Sequence, residues 1–252
     1  MGFMLDTVIP WGRSFAEYVA MFNLSPTDLD GRILGCADGP AAFNHELTRR
    51  GGRVVSFDPI YAATAAAIRD RIAATFDDVL DKVRANQGEF VWTQIRSPEE
   101  LGRVRQAAMD AFLADFEAGK TQGRYVAAAF PNLPFAAGRF DLALCSHLLF
   151  LYGPQLSLDF HLQAIQAMLR LAPEARIFPL LELGSQPSRH LDGVMAALNV
   201  LGYRTRIDPT AYEFQRGGHQ MLRVWRRENS SADGRFAGSA GLTNQPTSLT
   251  EI

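Results

Sequence analysis

The chain has 252 residues, of which 47% are hydrophobic and 21% charged. A chain of that length and apolar content buries roughly 70–75% of its unfolded surface, which excludes wholesale disorder and any need for disulfide staples. Its 25 basic and 27 acidic residues leave a formal charge of −2, too little for an overall field that holds long nucleic acid or an anionic membrane. Lys82 and Lys120 are the only lysines, so the basic residues are almost all arginine. Two cysteines, Cys36 and Cys145, exclude a disulfide-dense scaffold and a cysteine-rich zinc site. The first residues lack a basic segment followed by a long apolar run, and no apolar stretch reaches the ~18 residues of a membrane span. The expectation is a cytoplasmic protein with no membrane partner.

In chain order, PWGRSFAEYVAMFNL predicts a leading helix, with Phe15, Val19 and Phe22 on its apolar face. Arg32 to Ala37 predicts a first strand that opens into a Gly-Pro turn. Phe43 to Arg50 predicts a helix stopped by Gly51-Gly52, and Arg53 to Asp58 a second strand ended by Pro59. About 65 residues then separate Pro59 from Arg124, where one crossover helix normally suffices. Two helical patterns fill the interval: Ile68, Ile72, Phe76, Val79 and Val83, then Leu101, Val104, Ala108, Phe112 and Phe116. This insertion is either a lid over a ligand edge or an extra layer of core. Further strands are predicted at Tyr125 to Phe130, Phe140 to Ser146 and Arg176 to Leu183, and two last ones at Tyr203 to Ile207 and Gln220 to Trp225. Helices are predicted at Leu158 to Leu171 and Ser188 to Leu201. Alternating strands and helices predict an α/β fold with a mostly parallel sheet covered on both faces. From Glu228 the sequence is rich in Ser, Gly, Thr and Asn without an apolar face, and predicts a disordered tail. The expected division is a helical cap over 1–30, a main domain over 31–227 with the insertion at about 60–123, and the tail over 228–252.

Three segments carry chemistry. GRILGCADGPAAFNHEL places small residues at Ala37, Gly39 and Ala41 before a helix start, as close backbone approach to a ligand needs. Asp58 closes the second strand nineteen residues after Gly39, a spacing that lets an acid accept hydrogen bonds from ribose hydroxyls; its alternative is a helix cap before Pro59. LPFAAGRFDLALCSHLLFLY joins a turn to the fourth strand and ends on Ser146 and His147. Together these segments resemble class I S-adenosylmethionine-dependent methyltransferases, over roughly Arg32 to Arg226 without most of the insertion.

The resemblance implies a Rossmann-like methyltransferase fold with a seven-stranded sheet whose last strand is antiparallel, and S-adenosylmethionine as cofactor. It implies donor contacts from Ala37, Asp38, Gly39, Asp58, Pro59, Phe130 and Ser146, with Arg13 and Tyr18 reaching over from the leading helix. Arg13 would pair with the donor's carboxylate. His147, after the fourth strand, is the candidate general base and Tyr152 the next. Tyr61, Trp92, Tyr212 and Phe214 are candidates for an acceptor pocket, each with core packing as its alternative. No histidine spacing implies a metal. Two departures stand out. Gly35 occupies the place of an acid that meets the donor's ammonium, for which Asp38 is the substitute. Ala129 occupies the place of an acid that reads adenine, leaving Ile60 and Phe130 for that base. The expected activity is methyl transfer to a small molecule. The alternatives are a catalytically inactive methyltransferase-like binding or regulatory protein, or a methyltransferase acting on protein or RNA.

Overall fold

A computed structural model describes residues 9–226; the tail expected over 228–252 lies outside the described residues. Seven strands form one sheet in the order β3-β2-β1-β4-β5-β7-β6. They are β1 (Arg32–Cys36), β2 (Arg53–Phe57), β3 (Tyr125–Val126), β4 (Leu142–Ser146), β5 (Glu174–Phe178), β6 (Tyr203–Pro209) and β7 (Gln220–Arg226). Strands β1 to β5 pair in parallel, and β7 runs antiparallel to both β5 and β6. This is the Rossmann-like methyltransferase fold expected from the resemblance.

Side chains alternate across the sheet with the period of two that a pleated strand imposes. Ile33, Leu142 and Leu144 face α1 (Phe15–Met21) and α3 (Phe43–Arg49). Leu34, Ala143 and Cys145 face α6 (Leu158–Leu171) and α7 (Leu191–Val200). Cys36 and Cys145 lie side by side in the β1–β4 register, both buried as free thiols whose ionisation burial opposes. A short helix, α2 (Pro26–Asp30), leads into β1. No helix among the described residues is long and apolar enough to cross a membrane.

Boundaries move where a local rule overrides the apolar pattern. β3 keeps two of its six expected residues: it is an edge strand with one neighbour, and Ala127 and Ala129 are already exposed. β5 stops at Phe178, because Pro179 has no N–H to continue the ladder. On the leading helix the buried face is Tyr18, Met21 and Phe22, with Phe15 and Val19 only part-buried against it.

The insertion is two helices, α4 (Ala65–Ala85) and α5 (Pro98–Thr121). Ile68 and Ile72 meet Met109, Phe112 and Phe116 in a cluster that also takes Tyr61 and Tyr125. Further along, Val83, Phe90, Ile95 and Leu101 form a second cluster with Trp11 and Phe214 packed on it. The insertion thereby joins the N-terminal segment and the β6–β7 connection above the carboxyl edge of the sheet.

Candidate active site

In an open parallel sheet, ligands bind beyond the carboxyl ends of the strands where the order reverses, here between β1 and β4. A cavity of about 430 Å³ lies at that edge, within the size range of small-molecule sites. The candidate donor-contact and catalytic residues all line it: Arg13, Tyr18, Ala37, Asp38, Gly39, Asp58, Pro59, Phe130, Ser146, His147 and Tyr152. Tyr212 and Phe214 join them. Tyr61 and Trp92 are not among the lining residues. Tyr61 is fully buried beneath the loop, its hydroxyl donating to the Gly39 carbonyl at 2.7 Å, and Trp92 donates its indole N–H to the Gln87 carbonyl.

The loop after β1 turns through left-handed backbone at Ala37 (φ 53°) and Gly39 (φ 53°). An L-residue in that region is strained, so Ala37 holds a conformation that glycine adopts at less cost. Asp38, between them, folds back over β1. A Cβ built on Gly35 would lie 1.8 Å from the Asp38 Oδ2 and 2.9 Å from the Ser56 hydroxyl. The Asp38 carboxyl group thus fills the space that a side chain at position 35 would take. Only glycine at 35 permits this. Ser56 donates to Asp38 at 2.6 Å and Tyr18 at 2.9 Å. Burial pushes the Asp38 carboxyl up to about 6, although both hydroxyls favour its ionised form.

Asp58 caps the single-turn 3-10 helix Pro59–Ala62 by accepting from the Ile60 N–H at 2.8 Å. Its other oxygen accepts from the Gly39 N–H at 2.9 Å, tying the second strand to the loop of the first. The cap role weighed as its alternative is therefore present, and the carboxylate still lines the cavity. Burial raises its pKa above the ordinary value. Among the described residues, neither Asp38 nor Asp58 has an ion-pair partner.

Across the cavity the sign of charge changes. Gly12 packs so closely that a Cβ there would lie 2.1 Å from the Pro40 carbonyl oxygen, and Ala42 donates its N–H to the Arg13 carbonyl. These contacts fix Arg13 against the loop, its guanidinium donating to the Trp11 carbonyl. Burial lowers the Arg13 pKa to about 10, with Arg105 adding to the effect, and leaves it cationic at neutral pH. Arg105 comes from α5 and pairs with Glu17 of α1 at 2.6 Å. Glu17 also accepts from Ser14, closing the capping box of α1, and from the Tyr212 hydroxyl at 2.9 Å. Burial alone would raise the Glu17 pKa, but Arg105 overrides it and holds the carboxyl at about 2.

His147 follows β4 with φ 55°, its N–H bonded to the Phe178 carbonyl and its Nδ1 2.7 Å from the Ser146 hydroxyl. Burial, then Arg13 and Arg105, push its pKa well below the ordinary value, so its imidazole is neutral. Burial raises the Tyr152 pKa, so that phenol keeps its proton. No group of three His, Cys, Asp or Glu among the described residues is placed to hold a metal ion.

Arg105 and Glu17 were not legible as site residues in the sequence. The signal for Arg105 was its register: Leu101, Arg105, Ala108 and Phe112 share one helical face, so this arginine falls on an apolar stripe.

No family model matches the chain. Among solved structures, it is similar to the magnesium protoporphyrin IX methyltransferase of Synechocystis PCC 6803, crystallised with bound SAM, at 13% identity and a TM-score of 0.42 over 84% of this chain and 78% of that one. It is also similar to a SAM-dependent methyltransferase of Thermotoga maritima, a possible histamine N-methyltransferase, at 10% identity and a TM-score of 0.43 over 85% of this chain and 90% of that one. The uncharacterized protein MJ0045 of Methanocaldococcus jannaschii is 32% identical over 222 residues, which cover 88% of this chain and 97% of that protein. The chain belongs to the same family as that archaeal protein, and its sheet order is that of the class I methyltransferase fold.

Proposed function

We propose that this protein is a methyltransferase that uses S-adenosylmethionine and acts on a small molecule, with residues 31–227 as the catalytic domain, 60–123 as its insertion and 1–30 as its cap. One observation carries the reading. The cavity is lined by two carboxyl groups that have no ion-pair partner among the described residues, Asp38 and Asp58, on the side of the β1 and β2 loops, with Arg71 acting on Asp58 through its charge, and by a buried guanidinium, Arg13, across from them. That set fits a ligand that is cationic, zwitterionic and carries a ribose. When bound, the donor supplies a methyl group already activated on a sulfonium sulfur.

The residues of the chain then bind, orient and exclude water. Asp38 receives the ammonium group in the place left by Gly35, and Tyr18 and Ser56 hold Asp38 there. Arg13 takes the carboxylate. Asp58 keeps one lone pair on each oxygen for the ribose hydroxyls. Pro59, Ile60 and Phe130 flank the base by apolar contact, and Ala37 and Gly39 bring backbone close to the ligand. His147, neutral and anchored through Ser146, takes a proton from the acceptor as the new bond forms. Tyr152 keeps its proton and orients the acceptor as a hydrogen-bond donor. Alignment in a dry cavity does most of the work in a direct displacement of this kind.

The reading of the chain as an inactive binding protein leans on Gly35, Ala37 and Ala129. The Asp38 carboxyl beside Gly35 weighs against the first of these and leaves the other two. Calorimetric titration with S-adenosylhomocysteine tests the proposal. We expect binding to the full chain and a loss of about tenfold or more in Asp58→Ala. Unchanged affinity in that variant contradicts the donor site. His147→Ala is expected to keep donor affinity and slow turnover; unaltered turnover makes His147 structural.

A further inference from the structure

The methyltransferase proposal gives no role to Arg105. This guanidinium is 0% exposed yet lines the cavity. Its ion-pair partner is Glu17, whose other oxygen accepts from the Tyr212 hydroxyl, and Arg13 acts on the same carboxylate through its charge alone. The Nε atoms of both Arg13 and Arg105 are buried with no hydrogen-bond acceptor among the described residues. Two guanidinium groups face one carboxylate here, so the cluster is one anion short, and each buried Nε–H also lacks an acceptor among the described residues. The proposed donor brings one carboxylate, and Arg13 takes it in that reading. Arg105 keeps its pair with Glu17, but its Nε–H still lacks an acceptor among the described residues.

The part of the cavity wall that carries Arg105 includes a large apolar surface, with Glu89 and Gln215 beside it. Leu101 and Phe90 are buried in one cluster, with Trp11 and Phe214 packed against it, and all four line the cavity. His147 lies close enough to both arginines for their charge to act on it. One end of the cavity therefore offers two carboxyl groups and the other a guanidinium set in an aromatic wall.

We propose that the methyl acceptor is a small carboxylic acid with an aromatic or otherwise apolar body, its carboxylate bound by Arg105 and its body lodged among Trp11, Phe90, Leu101 and Phe214. This rests on the methyltransferase reading. The carboxylate is the anchor and not the reacting group. A lone pair on another acceptor atom forms the bond to the methyl carbon while the carbon–sulfur bond breaks. The electron pair of that bond stays on sulfur, which becomes a neutral thioether, and the acceptor's proton passes to the His147 imidazole. A carboxylate on Arg105 also offsets part of the positive field that adds to burial in lowering the basicity of His147.

The test is calorimetry on the full chain, free and saturated with S-adenosylhomocysteine. The probes are benzoate, 3-phenylpropionate, indole-3-acetate and octanoate, each beside its carboxamide. At least one acid is expected to bind about tenfold or more tighter than its amide, as a charge-assisted hydrogen bond predicts. The preference should vanish in the double variant Glu17→Gln/Arg105→Gln, which removes the ion pair as a unit, with cooperative urea unfolding showing that the variant is folded. Arg105→Lys, which keeps the charge but loses the planar fork, should retain part of the preference and guards against misfolding of the double variant. Equal binding of acid and amide, no acid binding at millimolar concentration, or a preference that survives the double variant overturns the proposal. An acid preference that depends on Arg105 in a protein that does not bind S-adenosylhomocysteine supports the anion subsite and counts against the donor reading alone.

Discussion

At the scale of single residues, the relation between Gly35 and Asp38 decides how the site is understood. A glycine at 35 looks like a lost acid until the fold brings the Asp38 carboxyl to within 1.8 Å of the Cβ that glycine lacks. No spacing rule shows this, because it depends on the left-handed turn at Ala37 and Gly39 that reverses the chain. The sequence suggested Asp38 as a substitute, and only the loop's path gives a reason. Two consequences are measurable. Burial places the Asp38 carboxyl at about 6 instead of 3.8. An ammonium ligand needs it ionised, so donor affinity should be level above pH 6 and fall about tenfold per pH unit below it. Asp38→Asn should bind the donor weakly and lose that slope; a slope that persists in the variant assigns it elsewhere. The same shift means the folded carboxyl ionises after the unfolded one, so folding stability should decline as pH rises from 3.8 to about 6. Ala37→Gly, which relieves an L-residue held at φ 53°, should raise the unfolding free energy by about 1 kcal/mol in denaturant titration.

At the scale of elements, α1 and α5 meet through one buried pair. Glu17 and Arg105 are 88 residues apart in sequence and 2.6 Å apart in space. Glu17 caps its own helix with Ser14, a motif visible in the sequence as Ser-x-x-Glu, and that local role hid the long-range one. Glu17→Gln leaves Arg105 charged, buried and without its counter-ion, and is expected to cost about 3 kcal/mol of stability. Urea unfolding checks this; a cost below about 1 kcal/mol would show that the helices are held by the apolar clusters alone. The pair's pH signature has a definite sign. Glu17 is depressed from 4.5 to about 2, so the stability it confers is in place above 4.5 and is lost as pH falls toward about 2.

At the scale of the whole molecule, the sheet was largely legible. Helix α6 has the bounds its apolar periodicity predicts, and β1 and β2 lie within one residue of theirs. These elements are central, and burial on both faces leaves a clear pattern. Legibility failed at the edge, where β3 keeps only Tyr125 and Val126, and at β5, where Pro179 ends the ladder inside an unbroken apolar run. The loops of the site were legible as segments, since each follows a strand that could be found. The insertion was legible as two helices, with a lid over the ligand edge as one of its two readings, but the residues it turns to the cavity were not legible. Its contribution to the cavity through Val79, Val83, Leu101 and Arg105 depends on how α4 and α5 lie across the sheet edge, which periodicity does not encode.

The arrangement as a whole is a sheet edge with carboxylates over its first two strands, a histidine over the fourth, and a roof made by the insertion and the N-terminal segment. A crystal structure of the full chain grown with S-adenosylhomocysteine is the most direct measurement. The account predicts the ribose hydroxyls on Asp58, the amino group on the Asp38 carboxyl, and the sulfur facing the space beside His147. A nucleoside bound elsewhere, or the ligand in this cavity with its amino group away from Asp38 and its ribose away from Asp58, would contradict it.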